Sequence, residues 1–295
     1  AILRTFIRYC EENRTEPYDE TTGKGQVRHL VIRKAFGTGQ IMIMPVLRSL
    51  SGFDTRRREA LKEALIGIPG LATIVLNENS DNTNVILGRH TEILYGPGYI
   101  EDKLREFTFR IGPLSFYQVN SEMALRLYEK ALEYADLKGN ETVWDLYCGT
   151  GTISLSLAQK AKTVHGVEII PEAIEDAWEN AAANGISNAD FQCGRSEDLF
   201  LNAEDPDNTV VVLDPPRKGC AIELLQTILR EGPSRIVYVS CDPATLARDV
   251  EILCRGLDTE KDDKDNKKYI LKKVQPVDMF PQTHHVENVI LMEKR

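Results

Sequence analysis

At 295 residues the chain exceeds one typical domain of roughly 100–150 residues, so two domains are expected. Its 42% hydrophobic and 27% charged residues are ordinary for a globular protein, with no run of about 20 apolar residues to span a membrane and no basic-then-apolar secretion signal at the start. A net charge of −9 argues against a protein that coats nucleic acid by bulk electrostatics, though not against local basic patches.

The chain begins at Ala1 rather than Met, so a fragment or processed form is expected, with upstream residues left open. Short β-rich stretches dominate first, at 27–33, 40–47, 72–76, 84–87, 92–95 and 106–111, separated by Gly, Pro and Asn turn signals. One helical stretch interrupts them near 55–66. Together they predict a small α+β domain over residues 1–111, an antiparallel sheet with a helix or two packed on it. Arg56, Arg57 and Arg58 fall in that helix and read as a solvated face rather than a phosphate clamp.

From residue 120 the rhythm changes to alternating strands and helices. Residues 121–135 carry Ala124, Leu127, Tyr128, Ala131 and Leu132 at helical spacing, with Ser121 as the expected N-cap. A strand at 142–147 leads through Gly149 and Gly151 into a helix ending near 160. The strand 163–168 and a helix over 171–184 follow, opened by Pro171 and closed by Asn184-Gly185. Strands at 190–193, 210–213 and 236–240 alternate with helices near 223–230 and 244–255. This alternation predicts a parallel sheet with helices on both faces, a Rossmann-like α/β domain over 112–295. The stretches 269–274 and 286–292 have no helix between them and read as a closing antiparallel pair, making seven strands. Residues 258–268 mix both charges and read as a surface loop.

Cys10, Cys148, Cys193, Cys220, Cys241 and Cys254 show no C-x-x-C spacing. Neither a disulfide scaffold nor a zinc module is expected, and a reducing cytoplasm fits best.

Four motifs fall at strand ends, where open parallel sheets bind ligands. The first is Asp145-Leu-Tyr-Cys-Gly-Thr-Gly-Thr152, whose glycines let the backbone turn tightly beneath a ligand. Ser154 stands where a dinucleotide site has its third glycine, so the pyrophosphate fingerprint is incomplete. Glu168 ends the next strand, 17 residues after Gly151, and a carboxylate there can accept from both ribose hydroxyls. An adenosyl ligand without pyrophosphate fits this pair; a generic strand–turn–helix with an incidental acid is the alternative.

The second motif is Leu213-Asp-Pro-Pro-Arg-Lys-Gly219. Its prolines stiffen the backbone and remove two donors, leaving carbonyls free, and Asp214 is fixed just before them. It is similar to the Asp/Asn-Pro-Pro-aromatic loop of amino-methyltransferases, with Arg217 in place of the ring that would stack on the base. The third is Val239-Ser-Cys-Asp-Pro-Ala-Thr-Leu-Ala-Arg-Asp249. Alone, Cys241 reads as core filling; at a helix start, the dipole and free N–H groups would favour its thiolate. The fourth is Phe280-Pro-Gln-Thr-His-His-Val-Glu-Asn288. It lacks helical ligand spacing, so no metal site is expected; it reads as a polar turn whose Glu287 can reach the sheet's edge as a base.

With Phe116-Tyr-Gln-Val-Asn120, these motifs resemble, in order, the bacterial RNA uracil-C5 methyltransferase family, which modifies 23S ribosomal RNA or transfer RNA. The resemblance runs from about Gly112 to the C-terminus. It implies a seven-stranded S-adenosylmethionine (SAM) methyltransferase domain, with SAM as cofactor, an unpaired uridine of RNA as partner, and no membrane or protein partner. Position by position, it implies Cys241 as nucleophile and Glu287 as base. Gln118, Tyr147, Gly149, Gly151, Thr152, Glu168 and Asp214 would form the SAM site, with Asp214 also close to the base. The Ser-Cys-Asp-Pro-Ala-Thr-Leu string looks closer to the ribosomal-RNA enzymes, although Asp242 stands where the family usually has Asn. Many relatives also carry an N-terminal RNA-binding barrel and an iron–sulfur cluster, neither of which is present in these residues.

The chemistry accounts for the residue types. Carbon-5 of uracil is a poor nucleophile until a thiolate adds at carbon-6, and a base must then remove the carbon-5 proton. The base must leave its stack to be reached, which favours unpaired RNA. An amino-group methyltransferase and a non-catalytic RNA-binding protein remain the rival readings.

Overall fold

In the computed structural model, which describes residues 1–200, 205–256 and 269–295, the chain divides into two units, Ala1–Ser115 and Phe116–Arg295. The expected loop at 258–268 lies outside the described residues.

The first unit runs α1 (Ile2–Glu12), β1 (Val27–Lys34), β2 (Ile41–Leu47), α2 (Thr55–Leu65), β3 (Leu71–Glu78) and β4 (His90–Tyr95). Its sheet has the order β1-β2-β3-β4. Phe6 and Tyr9 of α1 and Leu61 and Leu65 of α2 pack on Ile43, Leu47, Ile74 and Leu76. Burying each such side chain contributes about 1.5–3 kcal/mol. Helix α1 is not among the expected elements, although Leu3, Phe6, Ile7 and Cys10 follow helical spacing.

The outer strand pairs are antiparallel, whereas β2 and β3 run parallel, since α2 carries the chain back between them. Residues 84–87 form a loop rather than a strand: the Asn79 amide donates to the Val85 and Ile86 carbonyls, at 2.7 and 3.0 Å. A separate hairpin follows, β5 (Ile100–Leu104) and β6 (Phe107–Ile111). The charges of β5 hid it from the sequence reading. Its Asp102 is buried and accepts the Gly37 N–H at 2.6 Å. Within the arginine triplet, Arg58 turns inward to the Phe53 and Leu50 carbonyls, at 2.7 and 2.9 Å, and pairs with Glu92.

The second unit contains α3 (Ser121–Ala135), β7 (Thr142–Leu146), α4 (Thr152–Ala158), β8 (Thr163–Glu168), α5 (Pro171–Ala183), β9 (Ala189–Cys193) and α6 (Ser196–Leu199). It continues through β10 (Thr209–Leu213), α7 (Ile222–Glu231), β11 (Arg235–Ser240), α8 (Pro243–Arg255), β12 (Tyr269–Val277) and β13 (Glu287–Lys294). Among the described residues these strands make one seven-stranded sheet of order β12-β13-β11-β10-β7-β8-β9. Strands β7 to β11 are parallel; β13 runs antiparallel to β11, and β12 to β13. The expected α/β sheet with its closing antiparallel pair is therefore present.

Strand order reverses between β7 and β10, which opens a crevice at the carboxyl edge. Every residue of β10 is buried, as a central strand covered on both faces requires. The β13–β11 register is unbroken from Arg235↔Glu293 to Ser240↔Asn288, whereas β12 shifts register between Leu271 and Lys273. Asn120, not Ser121, caps α3, accepting the Met123 N–H at 3.2 Å.

Candidate active site

Five strand ends meet along one edge of the large sheet. In sheet order, Glu287 opens β13, Cys241 follows β11, Asp214 follows β10, Tyr147 follows β7 and Glu168 ends β8. The register fixes this line, with Ser240 opposite Asn288, Leu213 opposite Leu146, and Leu146 opposite Val167. One further residue along β11 brings Cys241 beside Glu287, and the two groups couple electrostatically.

At the Glu168 end, the chain leaves β7 through a strained turn. Tyr147 sits at φ +96°, and Gly149 and Gly151 at +55° and +83°. A non-glycine residue in that region costs on the order of 1–3 kcal/mol. Tyr147 and Cys148 both donate their N–H groups to the Val167 carbonyl, at 2.9 and 3.0 Å. Glu168 binds the turn from the other side. Its Oε2 accepts from Gly149 N at 3.3 Å, and its Oε1 from Ile169 N and Ile170 N at 2.8 and 3.0 Å. Partly exposed, it keeps lone pairs for a further donor.

Ser154 donates to the buried Asp145. The other Asp145 oxygen, Oδ1, is buried without a partner. Burial first, and the Glu168 charge after it, push this carboxyl up to about 7. Thr152 opens α4 and reaches the hydroxyl of Tyr128 on α3, which also faces Asp214 and Asp145. Gln118 is buried just before α3, and the Asn120 amide ties that segment to the Met279 carbonyl at 3.1 Å. Tyr147 sends its side chain towards Cys220 and Ala221, at the far end of the Asp-Pro-Pro loop.

The Cys241 end corrects one expectation. The N–H groups at the start of α8 are not free for the thiol, because Asp242 Oδ1 takes those of Ala244 and Thr245, at 2.9 and 3.0 Å. Burial, then Glu287 and Asp214, push the Cys241 thiol up rather than down. An Asn here would cap the same way, so Asp242 preserves the cap. Glu287 is 4% exposed and raised by burial, with Arg217 pulling it back. Asp214 is pushed up to about 8 by burial, then by Glu287 and Asp145. The His284 and His285 rings lie against each other at a tilt of 40°, with centroids 4.1 Å apart, in the turn before β13. Among the described residues no group of three His, Cys, Asp or Glu side chains is placed to hold a metal.

Asp145, Tyr128 and Arg217, none of them among the expected site residues, lie beside Glu168, Asp214 and Glu287. Tyr128 sat on an apolar helical stripe and carried no signal that separates it from core. Arg217 was legible only as a missing aromatic.

A doubly wound sheet with a glycine turn, an acid at the next strand end and an acidic crevice at the switch point is the fold of the SAM-dependent methyltransferases. Residues 75–295 match the model of the tRNA (uracil-5-)-methyltransferase family, and the chain belongs to that family. An uncharacterized RNA methyltransferase of Clostridium tetani is 47% identical over 99% of this chain and 61% of its own length. One from Bacillus cereus is 47% identical over 100% of this chain and 62% of its own. The chain thus spans about three-fifths of these curated relatives. The Pyrococcus abyssi tRNA (uracil-54, C5)-methyltransferase in complex with S-adenosyl-L-homocysteine superposes with a TM-score of 0.80 at 28% identity, over 99% of this chain and 65% of that one.

Proposed function

We propose that this chain is the catalytic part of an RNA methyltransferase that uses SAM to methylate carbon-5 of a uridine through a covalent bond from Cys241. The adjacency of Cys241 and Glu287 across β11 and β13, next to Asp214, carries this reading. The names of the relatives and of the Pyrococcus abyssi enzyme support it.

The crevice suits SAM. Four carboxylates lie along it (Asp145, Glu168, Asp214 and Glu287), two of them pushed up to about 7 and 8 by burial and by one another. A bound cation would relieve that strain, and Asp145 keeps an unpartnered oxygen. Glu168 would hold the ribose; Gln118, Tyr147, Gly149, Gly151, Thr152 and Asp214 would line the pocket. SAM supplies an electrophilic methyl on a sulfonium.

The chain's own groups do the rest. The Cys241 thiolate forms a bond to carbon-6, and the electron pair of the C5–C6 double bond moves into an enolate. Asp214, between thiol and pocket, orients the ring. After carbon-5 is methylated, Glu287 takes its proton, the double bond re-forms, and the C6–S bond breaks to return the thiolate.

The substrate on this reading is a 23S ribosomal RNA uridine, in the cytoplasm, with the unit Ala1–Ser115 facing the RNA. The Ser-Cys-Asp-Pro-Ala-Thr-Leu string favours ribosomal RNA, and the name of the Pyrococcus abyssi enzyme favours transfer RNA. Methyl incorporation into each purified RNA decides between them. RNA containing 5-fluorouridine tests the mechanism, because fluorine replaces the proton that Glu287 removes. A SAM-dependent band on a denaturing gel, lost in Cys241→Ala, is expected; its absence with RNA that binds would sink the covalent route.

A further inference from the structure

The Asp-Pro-Pro loop must hold Asp214 and Arg217 beside Cys241, yet it is anchored from outside itself. Besides one turn bond, from Gly219 N to Pro216 O at 2.8 Å, its far end is gripped by α8. Thr245 Oγ1 donates to the Arg217 carbonyl at 3.0 Å. Arg248 Nη2 donates to the Lys218 and Cys220 carbonyls, both at 3.1 Å. Asp249 Oδ2 accepts from Cys220 N at 2.8 Å and from the Tyr238 hydroxyl at 2.6 Å, while Oδ1 accepts from Arg248 Nε at 2.7 Å.

Three features make this more than a core contact. Thr245, Arg248 and Asp249 are spaced i, i+3, i+4, so one stripe of α8 serves the whole loop end. Asp249 is 0% exposed, and a buried carboxylate stabilises a fold less well than apolar packing would, unless geometry is what it secures. Gly219 sits at φ +75°, where a Cβ would lie 2.7 Å from both Arg248 Nη2 and Asp249 Oδ2, so loop and helix are in direct apposition.

The placement of α8 gives the clamp its meaning. The helix starts at Pro243, immediately after Cys241 and its capping neighbour Asp242. Tyr238, which also binds Asp249, lies on β11 just before Cys241. The strand and helix on either side of the thiol therefore hold the loop that bears Asp214 and Arg217.

We propose that Asp249, with Arg248 and Thr245, is a positioning set that fixes Asp214 and Arg217 relative to the Cys241 sulfur and so governs thiolate addition without touching substrate. This rests on the covalent uracil reading above. Misplacing reacting groups by about 1 Å costs up to ~100-fold in rate.

The test follows the rate of adduct formation with 5-fluorouridine RNA and SAM, beside the thermal midpoint of each variant. Thr245→Val removes one hydroxyl from a partly exposed site, and Asp249→Asn removes the charge. Both should slow adduct formation by about 10- to 100-fold, with kcat falling more than KM rises. Thr245→Ser, which keeps the hydroxyl, should stay within about twofold of wild type. Ile228→Val, in the core of α7, serves as a control for destabilisation alone. Wild-type rates in Thr245→Val and Asp249→Asn would overturn the clamp, as would losses that Ile228→Val reproduces at the same midpoint. If wild type itself forms no adduct, the covalent reading falls and the clamp's role with it. A wild-type adduct with unimpaired variants removes the clamp alone.

Discussion

The Ser154 hydroxyl donates to Asp145 at 2.5 Å, from the position where a dinucleotide site would place its third glycine. What looks in sequence like a defect in a glycine motif is a partner for a buried carboxyl at the end of β7, just before the glycine turn. Ser154→Ala should destabilise the protein by about 1–3 kcal/mol, the cost of leaving a buried polar group unpaired. Ser154→Gly should add roughly 1 kcal/mol for glycine in a helix. Urea unfolding of the two variants checks the order.

Stability without SAM should fall as pH rises. Asp145 and Asp214 have folded values near 7 and 8, above the roughly 3.9 of an unfolded Asp. Raised carboxyls contribute stability that is fully present below the unfolded value and is lost as pH rises through the folded values. The thermal midpoint should therefore decline between about pH 4 and pH 8 and flatten above. Asp145→Asn should flatten the lower part of that slope, and saturating SAM should flatten most of it. A midpoint that climbs across this window would refute the assignment.

The Cys241 thiol is held up by burial and by two carboxylates, so iodoacetamide should label it slowly at neutral pH and faster as pH rises. Glu287→Gln removes one of those charges and should speed labelling at about pH 7.5. The same variant should lose turnover by about 10²- to 10⁴-fold, as removal of a general base does, and accumulate adduct on ordinary uridine RNA. Labelling unchanged by Glu287→Gln would separate the two groups.

Asp242 caps α8 through two N–H groups. Asp242→Ala should cost about 0.5–2 kcal/mol, whereas Asp242→Asn should be close to neutral. Thermal melts of both variants distinguish a cap from a residue acting on the thiol by charge alone, for which Asn and Ala would behave alike.

Much of this was legible in the sequence, for identifiable reasons. The alternation from Ser121 to Lys294 reflects strands buried on both faces, and short valine-rich runs such as Thr209–Leu213 have few other uses. Cys241, Asp214 and Glu168 stand out in the sequence because strand ends followed by Pro or Gly are punctuated locally, and they lie along one sheet edge. What escaped depended on partners distant in sequence. The parallel pairing of β2 and β3 follows from where α2 packs, and β5 hid behind Glu101, Asp102 and Lys103, of which Asp102 is buried against Gly37. The environment of Cys241 was misjudged because a helix start shows no sign of who already occupies its N–H groups.

The hydrogen-bond ladder of the large sheet also works as a ruler. Adjacent strands lie about 4.8 Å apart, so the spacing of reactive groups along the edge is set by backbone pairing, whatever the loops above do. A slip of one residue between β13 and β11 would turn Glu287 to the opposite face. The irregularity at Leu271 and Lys273 sits on the far side of β13, in the outermost pairing. Length changes in that last hairpin can be absorbed there, leaving Glu287 seated beside the Cys241 sulfur.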